Sequence, residues 1–324
     1  MTNRPRISVI ITTYNYERFV RDAIDSVLAQ TRLPDEIVVI DDGSTDNTRK
    51  IVDEYADRHV TYIWQENAGA GAARNRGIAA TTGEFVAFLD ADDIWLPTRL
   101  ERQECLLIDH PDAVLATGHM IWWDVARNQR RFERFGDMPS AKIQREILVR
   151  NVVGNPSMVL VRRNALDAAG PYDRRLRWGQ DWELFIRITR VGEVVTVDEP
   201  VIVYRWHGES LSHQQRWTRL STLHGIHRRA VRSHSPSWQR PWLRARMWSA
   251  IELDRARMSL PGPRARVRVP WHATRSLVSY PLDRGIEKCK LVVRGVLGER
   301  RYKASTASLR DVRVAARRRV LDRF

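Results

Sequence analysis

Four short runs rich in aliphatic residues, Ile7 to Thr12, Glu36 to Ile40, Val60 to Trp64 and Glu84 to Leu89, are separated by helical patterns within about the first 90 residues. Alternation at this pitch leaves few folds open. A βαβ series builds a parallel sheet with right-handed crossovers and helices on both faces. After the first run Val20, Ile24, Val27 and Leu28 repeat at helical spacing, and after the second so do Ile51, Val52 and Tyr55, with Asp46 as the expected N-cap. Ala70 to Ala80 reads as a helix of small residues. Glu84 to Leu89 is nearly all apolar, as a strand covered on both faces should be.

In such sheets ligands bind outside the carboxyl ends of the strands, so the polar residues there become site candidates. Ser8 to Asn15 (SVIITTYN) ends the first strand and offers Thr12 and Tyr14, an aromatic face for a base or an ordinary strand end. Asp41-Asp42-Gly43-Ser44 ends the second; two adjacent carboxylates repel unless a donor or cation is near, and Asp42 is the expected ligand contact. The segment Gly69 to Gly77 suggests a dinucleotide loop, but Arg74 stands where a third glycine belongs and the segment follows the third strand, which argues against a nicotinamide cofactor. Small residues opening a helix let its backbone approach an anion, with Arg74 and Asn75 as added donors. Phe88 to Asp93 (FLDADD) places three carboxylates directly after the fourth strand, oxygen ligands suited to Mg²⁺ or Mn²⁺ with diphosphate oxygens. Asp181, in Trp178 to Leu184 (WGQDWEL), opens a helix expected to run to Val191, where a carboxylate is also favoured by the helix dipole alone. Arg205, His207 and His213 have structural and ligand readings alike.

From about residue 113 the alternation blurs. Candidate strands are Ala113 to Gly118, Ser157 to Val161 and Val194 to Val197, with helices at Arg163 to Ala169 and Trp182 to Val191. Beyond Gln215 the composition turns Arg-rich, with Trp217, Trp238, Trp242, Trp248 and Trp271 among recurrent prolines, so the domain boundary is placed near 215.

Taken together, SVIITTYN, VIDDGSTD (Val39 to Asp46), the Gly69 to Gly77 segment, FLDADD and GQDWEL (Gly179 to Leu184) resemble, in order and approximate spacing, the motifs of family 2 glycosyltransferases of the GT-A fold, over about residues 5 to 215. The resemblance implies an α/β GT-A domain binding a nucleoside-diphosphate sugar, with Thr12, Tyr14 and Asp42 near the nucleoside. It makes Asp90 and Asp92 the DxD motif, with Asp92 on a divalent metal (Mn²⁺ or Mg²⁺), and Asp181 the base that deprotonates an acceptor hydroxyl with inversion at the sugar. Gln180 departs from the commoner Glu, so that position supplies no second carboxylate. His207 lies where related enzymes carry a loop over the donor and is a candidate diphosphate or metal contact. The implied acceptor is a glycan or lipid-linked hydroxyl of a bacterial envelope. Nucleotidyl transfer on a similar metal site, or a non-catalytic scaffold, are the competing classes.

The 324 residues carry 54 Lys and Arg against 39 Asp and Glu, a net +15, but the excess is uneven. Residues 1–215 hold 27 basic and 32 acidic side chains, residues 216–324 hold 27 and 7. Arg244, Met247, Trp248 and Ile251 follow helical spacing with Arg246 and Arg255 nearby, which suits a helix on an anionic membrane, or a helical subdomain with a solvated Arg face. Nucleic acid is the less favoured partner, because no recognised binding motif accompanies the charge. No apolar run reaches the 18 or so residues of a membrane span, and the N-terminal stretch lacks a signal-peptide pattern. The expectation is a cytoplasmic protein, soluble or peripheral on the inner membrane. Cys105 and Cys289 suggest neither a disulfide framework nor a zinc site.

Overall fold

A computed structural model describes residues 4–208, 216–235 and 240–259. His213, Trp238, Trp271 and Cys289 lie outside the described residues, as do the side chains of Trp217, Met247 and Arg255. Contacts divide the chain into two units, Met1–Ile147 with Asn151–Ser210 and Leu148–Arg150 with Leu211–Phe324.

The first unit opens as the alternation demands: β1 (Ile7–Thr13), α1 (Val20–Leu28), β2 (Glu36–Asp41), α2 (Thr48–Asp53), β3 (Val60–Trp64), α3 (Ala70–Ala79) and β4 (Phe85–Asp90). There follow β5 (Ile94–Trp95), α4 (Arg99–Asp109), β6 (Ala113–Asp124), β7 (Gln129–Glu133), α5 (Ser140–Glu146), β8 (Leu160–Arg162), α6 (Arg163–Ala169), α7 (Gln180–Ile188) and β9 (Glu193–Trp206). The sheet runs β3-β2-β1-β4-β8-β6-β9-β5, with β7 on β6. β3, β2, β1 and β4 are parallel neighbours, as are β6 and β9, whereas β8 pairs antiparallel with both β4 and β6. The chain steps outward from β1 to β3 and then returns to β1's other edge, so a topological switch point lies between β1 and β4. There Thr12 sits in register with Asp90. Every residue of β1 is buried, and Val20, Ala23, Ile24 and Val27 turn the apolar stripe of α1 inward.

Three local expectations are corrected. Asp46 does not occupy the cap position of α2; Asn47 does, while Oδ1 of Asp46 accepts the Thr48 amide at 3.0 Å. Ser157 begins no strand, because Pro156–Met158 form a 3₁₀ turn ahead of the three-residue β8. α7 spans Gln180–Ile188, starting before Trp182 and stopping short of Val191.

The second unit contains α8 (Arg216–His234) and α9 (Arg240–Ser259). α8 buries Ile226, His227, Ala230 and Val231, two adjacent pairs four residues apart, and leaves Arg228, Arg229 and Arg232 exposed. On α9 the inward residues are Leu243, Arg246, Ser249, Ile251 and Glu252, while Arg244 and Trp248 face outward. The single stripe expected from Arg244, Trp248 and Ile251 is thus split between a solvent side and a packed side.

Candidate active site

β1, β2 and β4 deliver their last residues to one edge of the sheet, and the two neighbouring carboxylates at the end of β2 are resolved by donors. Asp41 accepts the Ser44 amide at 2.8 Å and the Tyr62 hydroxyl at 2.7 Å. Asp42 turns the other way, accepting Gln65 Nε2 at 2.6 Å, the Ala68 amide at 2.9 Å and the Gly69 amide at 2.8 Å. Hydrogen bonds to a charged group contribute about 1.5–3 kcal/mol each, enough to offset placing two carboxylates side by side. Asp42, 4% exposed, therefore fixes the loop that feeds α3. Tyr14, by contrast, is 47% exposed beside this edge.

Arg74 leaves the buried face of α3 and donates from Nη2 to Oδ1 of Asp90 at 2.6 Å, the same oxygen that accepts the Thr12 hydroxyl at 3.1 Å. Its Nη1 meets Gln180 Oε1 at 3.5 Å, and its guanidinium carbon stands 5.5 Å from the centre of the Tyr172 ring. Gln180 comes this close because Gly71 has no side chain; a Cβ there would lie 2.6 Å from Gln180 Oε1. Thr12, Asp90, Arg74 and Gln180 thus form one polar chain from the ends of β1 and β4 to the first turn of α7, which carries the half-buried Asp181. Asn75 reaches across to the 170s loop. Its Nδ2 donates to the Tyr172 carbonyl at 2.9 Å and its Oδ1 accepts the Tyr172 amide at 2.8 Å, a reciprocal pair that holds the 170s loop against α3.

The FLDADD cluster relieves its repulsion in three ways. Burial, then the charges of Asp92 and Asp90, push the Asp93 carboxyl well above the usual carboxylate range, favouring its neutral form. Asp90 has Arg74. Asp92 meets His207 Nε2 at 3.2 Å, and burial together with Asp92 and Asp90 raises the Tyr16 phenol, keeping it a hydrogen-bond donor to Asp92. The His207 ring rests 4.5 Å from the Phe19 ring and edge-on to Tyr16 at 5.8 Å, so the β1–α1 loop and the end of β9 enclose this carboxylate.

Arg205 fastens that enclosure. Only 3% exposed, it donates to the backbone carbonyl of Asp92 at 2.6 Å and to that of Phe19 at 3.2 Å, and it pairs with Asp22 of α1. Its sequence carried no signal beyond an arginine near a histidine, and Tyr16 and Phe19 carried none. Beside α7 a groove of about 460 Å³ is lined by Tyr172, Asp173, Arg174, Arg175, Glu183 and Arg187 among others.

The carboxylate oxygens of Asp92 and of Asp90, at the end of β4, suit a hard cation, and His207 Nε2 stands 3.2 Å from Asp92. Among the described residues no three or more His, Cys, Asp and Glu side chains form a ready cage. Mg²⁺ sites built from one or two carboxylates plus substrate phosphates have this composition.

Residues 8–170 match the sequence family described as Glycosyl transferase family 2. The chain belongs to glycosyl transferase family 2. Among similar family 2 proteins, an uncharacterised glycosyltransferase of Nostoc sp. PCC 7120 is 36% identical over 63% of this chain and 65% of its own length. A Bacillus subtilis protein, TuaG, named for glycosyl transfer in teichuronic acid biosynthesis, is 29% identical over 72% of this chain and 92% of its own. The chain spans between about a third and two thirds of the first curated relatives it matches, for example 35% of one from Rickettsia felis. Two solved structures share the GT-A fold. S. aureus TarS, residues 1–349 with UDP-GlcNAc, superposes with a TM-score of 0.65 at 16% identity, covering 94% of this chain and 92% of that one. The mannosyltransferase PcManGT of Pyrobaculum calidifontis, with GDP-Man and Mn²⁺, gives 0.60 at 21% identity over 94% and 84%.

Proposed function

We propose that this chain is an inverting glycosyltransferase that moves a sugar from a nucleoside diphosphate to a hydroxyl of a glycan or lipid-linked acceptor in envelope polysaccharide synthesis. The observation that carries it is the polar chain joining the Asp90 carboxylate to the helix bearing Asp181 through Arg74 and Gln180, because it sets a donor-side acid cluster and one separate carboxylate at the same strand edge. The TuaG name supports an envelope glycan, and the ligands of TarS and PcManGT support a nucleoside-diphosphate sugar as the donor class.

In this reading Tyr14 and Thr12 flank the nucleoside, and Asp42 acts by holding the β3–α3 loop. Asp92, with His207 and Asp90, would hold a divalent cation, which when bound neutralises charge building on the departing diphosphate. Asp181 takes the acceptor hydroxyl proton as the acceptor oxygen bonds to the anomeric carbon and the bond to the diphosphate breaks on the opposite face. Tyr172 and the groove beside α7 form the acceptor side. Arg74 and Gln180 keep the two halves in register.

Asp181→Asn should lower transfer about 100- to 10,000-fold while leaving donor binding by calorimetry intact, the loss expected of a general base. Asp92→Asn should remove metal-dependent donor turnover. Unchanged transfer in either variant overturns the assignment, and release of pyrophosphate instead of nucleoside diphosphate would make the protein a nucleotidyltransferase.

A further inference from the structure

The second unit carries a surface to which the proposed glycosyl transfer assigns no role. Trp248 of α9 is 42% exposed, and its ring meets the edge of His224 on α8 at 5.1 Å and 82°. Arg228 lies one turn from His224 toward the end of α8, and Arg244 one turn from Trp248 toward the start of α9. Because α8 leads into α9, both steps run in the same direction, and the two exposed arginines flank one side of the aromatic pair. Arg229 is exposed next to Arg228, and Trp242, 45% exposed, sits at the opening of α9. The opposite sides of the helices bury Ile226, Val231, Leu243 and Ile251, so the arginines and Trp248 are not the packing face. By sequence, residues 216–324 hold 27 basic against 7 acidic side chains.

We infer that this Arg–Trp face of the α8–α9 pair docks on an anionic phospholipid surface. An indole sits favourably at the boundary between headgroups and acyl chains, where its ring is apolar and its N–H is wetted, and arginines beside it reach lipid phosphates. The charge complements a leaflet bearing acidic lipids. Among the described residues no helix is long and apolar enough to cross a membrane, so the contact this face can make is lateral. An arginine surface alone would suit RNA equally; the outward indole beside it favours lipid. Where glycosyl transfer concerns the first unit, this inference concerns the second and stands without it.

Flotation of the full chain with phosphatidylcholine vesicles, with and without phosphatidylglycerol and at low and high salt, tests the assignment. Binding is expected only with phosphatidylglycerol, weakening as salt rises. One basic side chain near such a surface contributes about fivefold in partitioning, so R228Q/R229Q/R244Q should lower it about 100-fold, while R228K/R229K/R244K keeps it. Bromine-labelled lipid should quench Trp fluorescence less in Trp248→Phe than in the parent. Thermal melts matching the parent establish that the variants are folded. Equal flotation on neutral vesicles, or unchanged flotation of the glutamine variant, overturns the inference. So does a variant that loses single-stranded RNA in a filter assay but keeps vesicle binding, an outcome that assigns the face to nucleic acid.

Discussion

Asn75 illustrates how a side chain in a motif can act at one remove. Its amide engages both backbone groups of Tyr172, a residue 97 positions away, and so ties the 170s loop to α3. Asn75→Ala should cost about 2 kcal/mol by urea denaturation, from two lost hydrogen bonds. Asn75→Asp should cost more, because a carboxylate oxygen would then face the Tyr172 carbonyl. The same logic separates what was legible in the sequence. Asp90 and Asp92 could be singled out because clustered carboxylates directly after an apolar strand need a donor or a cation, whereas Asp181, which a helix dipole alone would favour, stood out only through the family resemblance. The partners of Asn75, Asp42 and Arg74 could not, since a donor's direction depends on which distant loop arrives beside it.

At the level of elements, β1, β2 and β4 were readable because their residues are almost all buried and so read as continuous apolar runs, and α1 because its buried residues repeat at helical spacing. β5 and β8 have two and three residues, too few for any period, and they form only where longer neighbours template them. Two features of the parallel core give measurable consequences. α3 lies so near β1 that a Cβ on Gly77 would stand 2.2 Å from Ile10 Cγ2; Gly77→Ala should therefore destabilise by about 1–3 kcal/mol in thermal or chemical melts. At the opposite end of the strands Glu36 binds the Ser8 hydroxyl at 2.6 Å, the Thr82 amide at 2.8 Å and Arg6 at 2.7 Å. Burial pushes its carboxyl up, yet the Ser8 and Thr82 donors and Arg6 outweigh burial and hold it at about 2, against an ordinary 4.5. A carboxylate held low stabilises the fold above its unfolded pKa, so this contribution should fade as pH falls from about 4.5 to about 2, and Glu36→Gln should flatten that limb of the stability curve.

For the molecule as a whole, acid acts on the two units at different pH. In the second unit burial drives the His227 imidazole down to about 4 from 6.5, against a hydrogen bond with the Val149 backbone. The folded form keeps this ring neutral, whereas the unfolded chain protonates it. Stability linked to His227 is therefore full above pH 6.5 and lost as pH falls toward 4, most of it above the pH at which the Glu36 contribution begins to fade. Calorimetric scans between those values should show a falling melting temperature that His227→Phe reduces, since phenylalanine has no proton to take up. The net charge of +15, read along the chain instead of as a total, is also uneven: residues 1–215 hold 27 basic and 32 acidic side chains, residues 216–324 hold 27 and 7.

Arg205 also sets an order in time. The carboxylate loop after β4 is held by an arginine 113 residues downstream, which in the same grip reaches Asp22, 183 residues upstream. At synthesis rates of about 5–20 residues per second, roughly 10 to 40 seconds separate the appearance of these two residues at the ribosome. During that interval the parallel strands β1 to β4 can pair, but the acidic loop has no clamp. A nascent chain arrested before Arg205 should be cut by protease between Asp90 and Ile94, and one arrested well beyond it should be protected there, so that the site closes only once the last strand has been made.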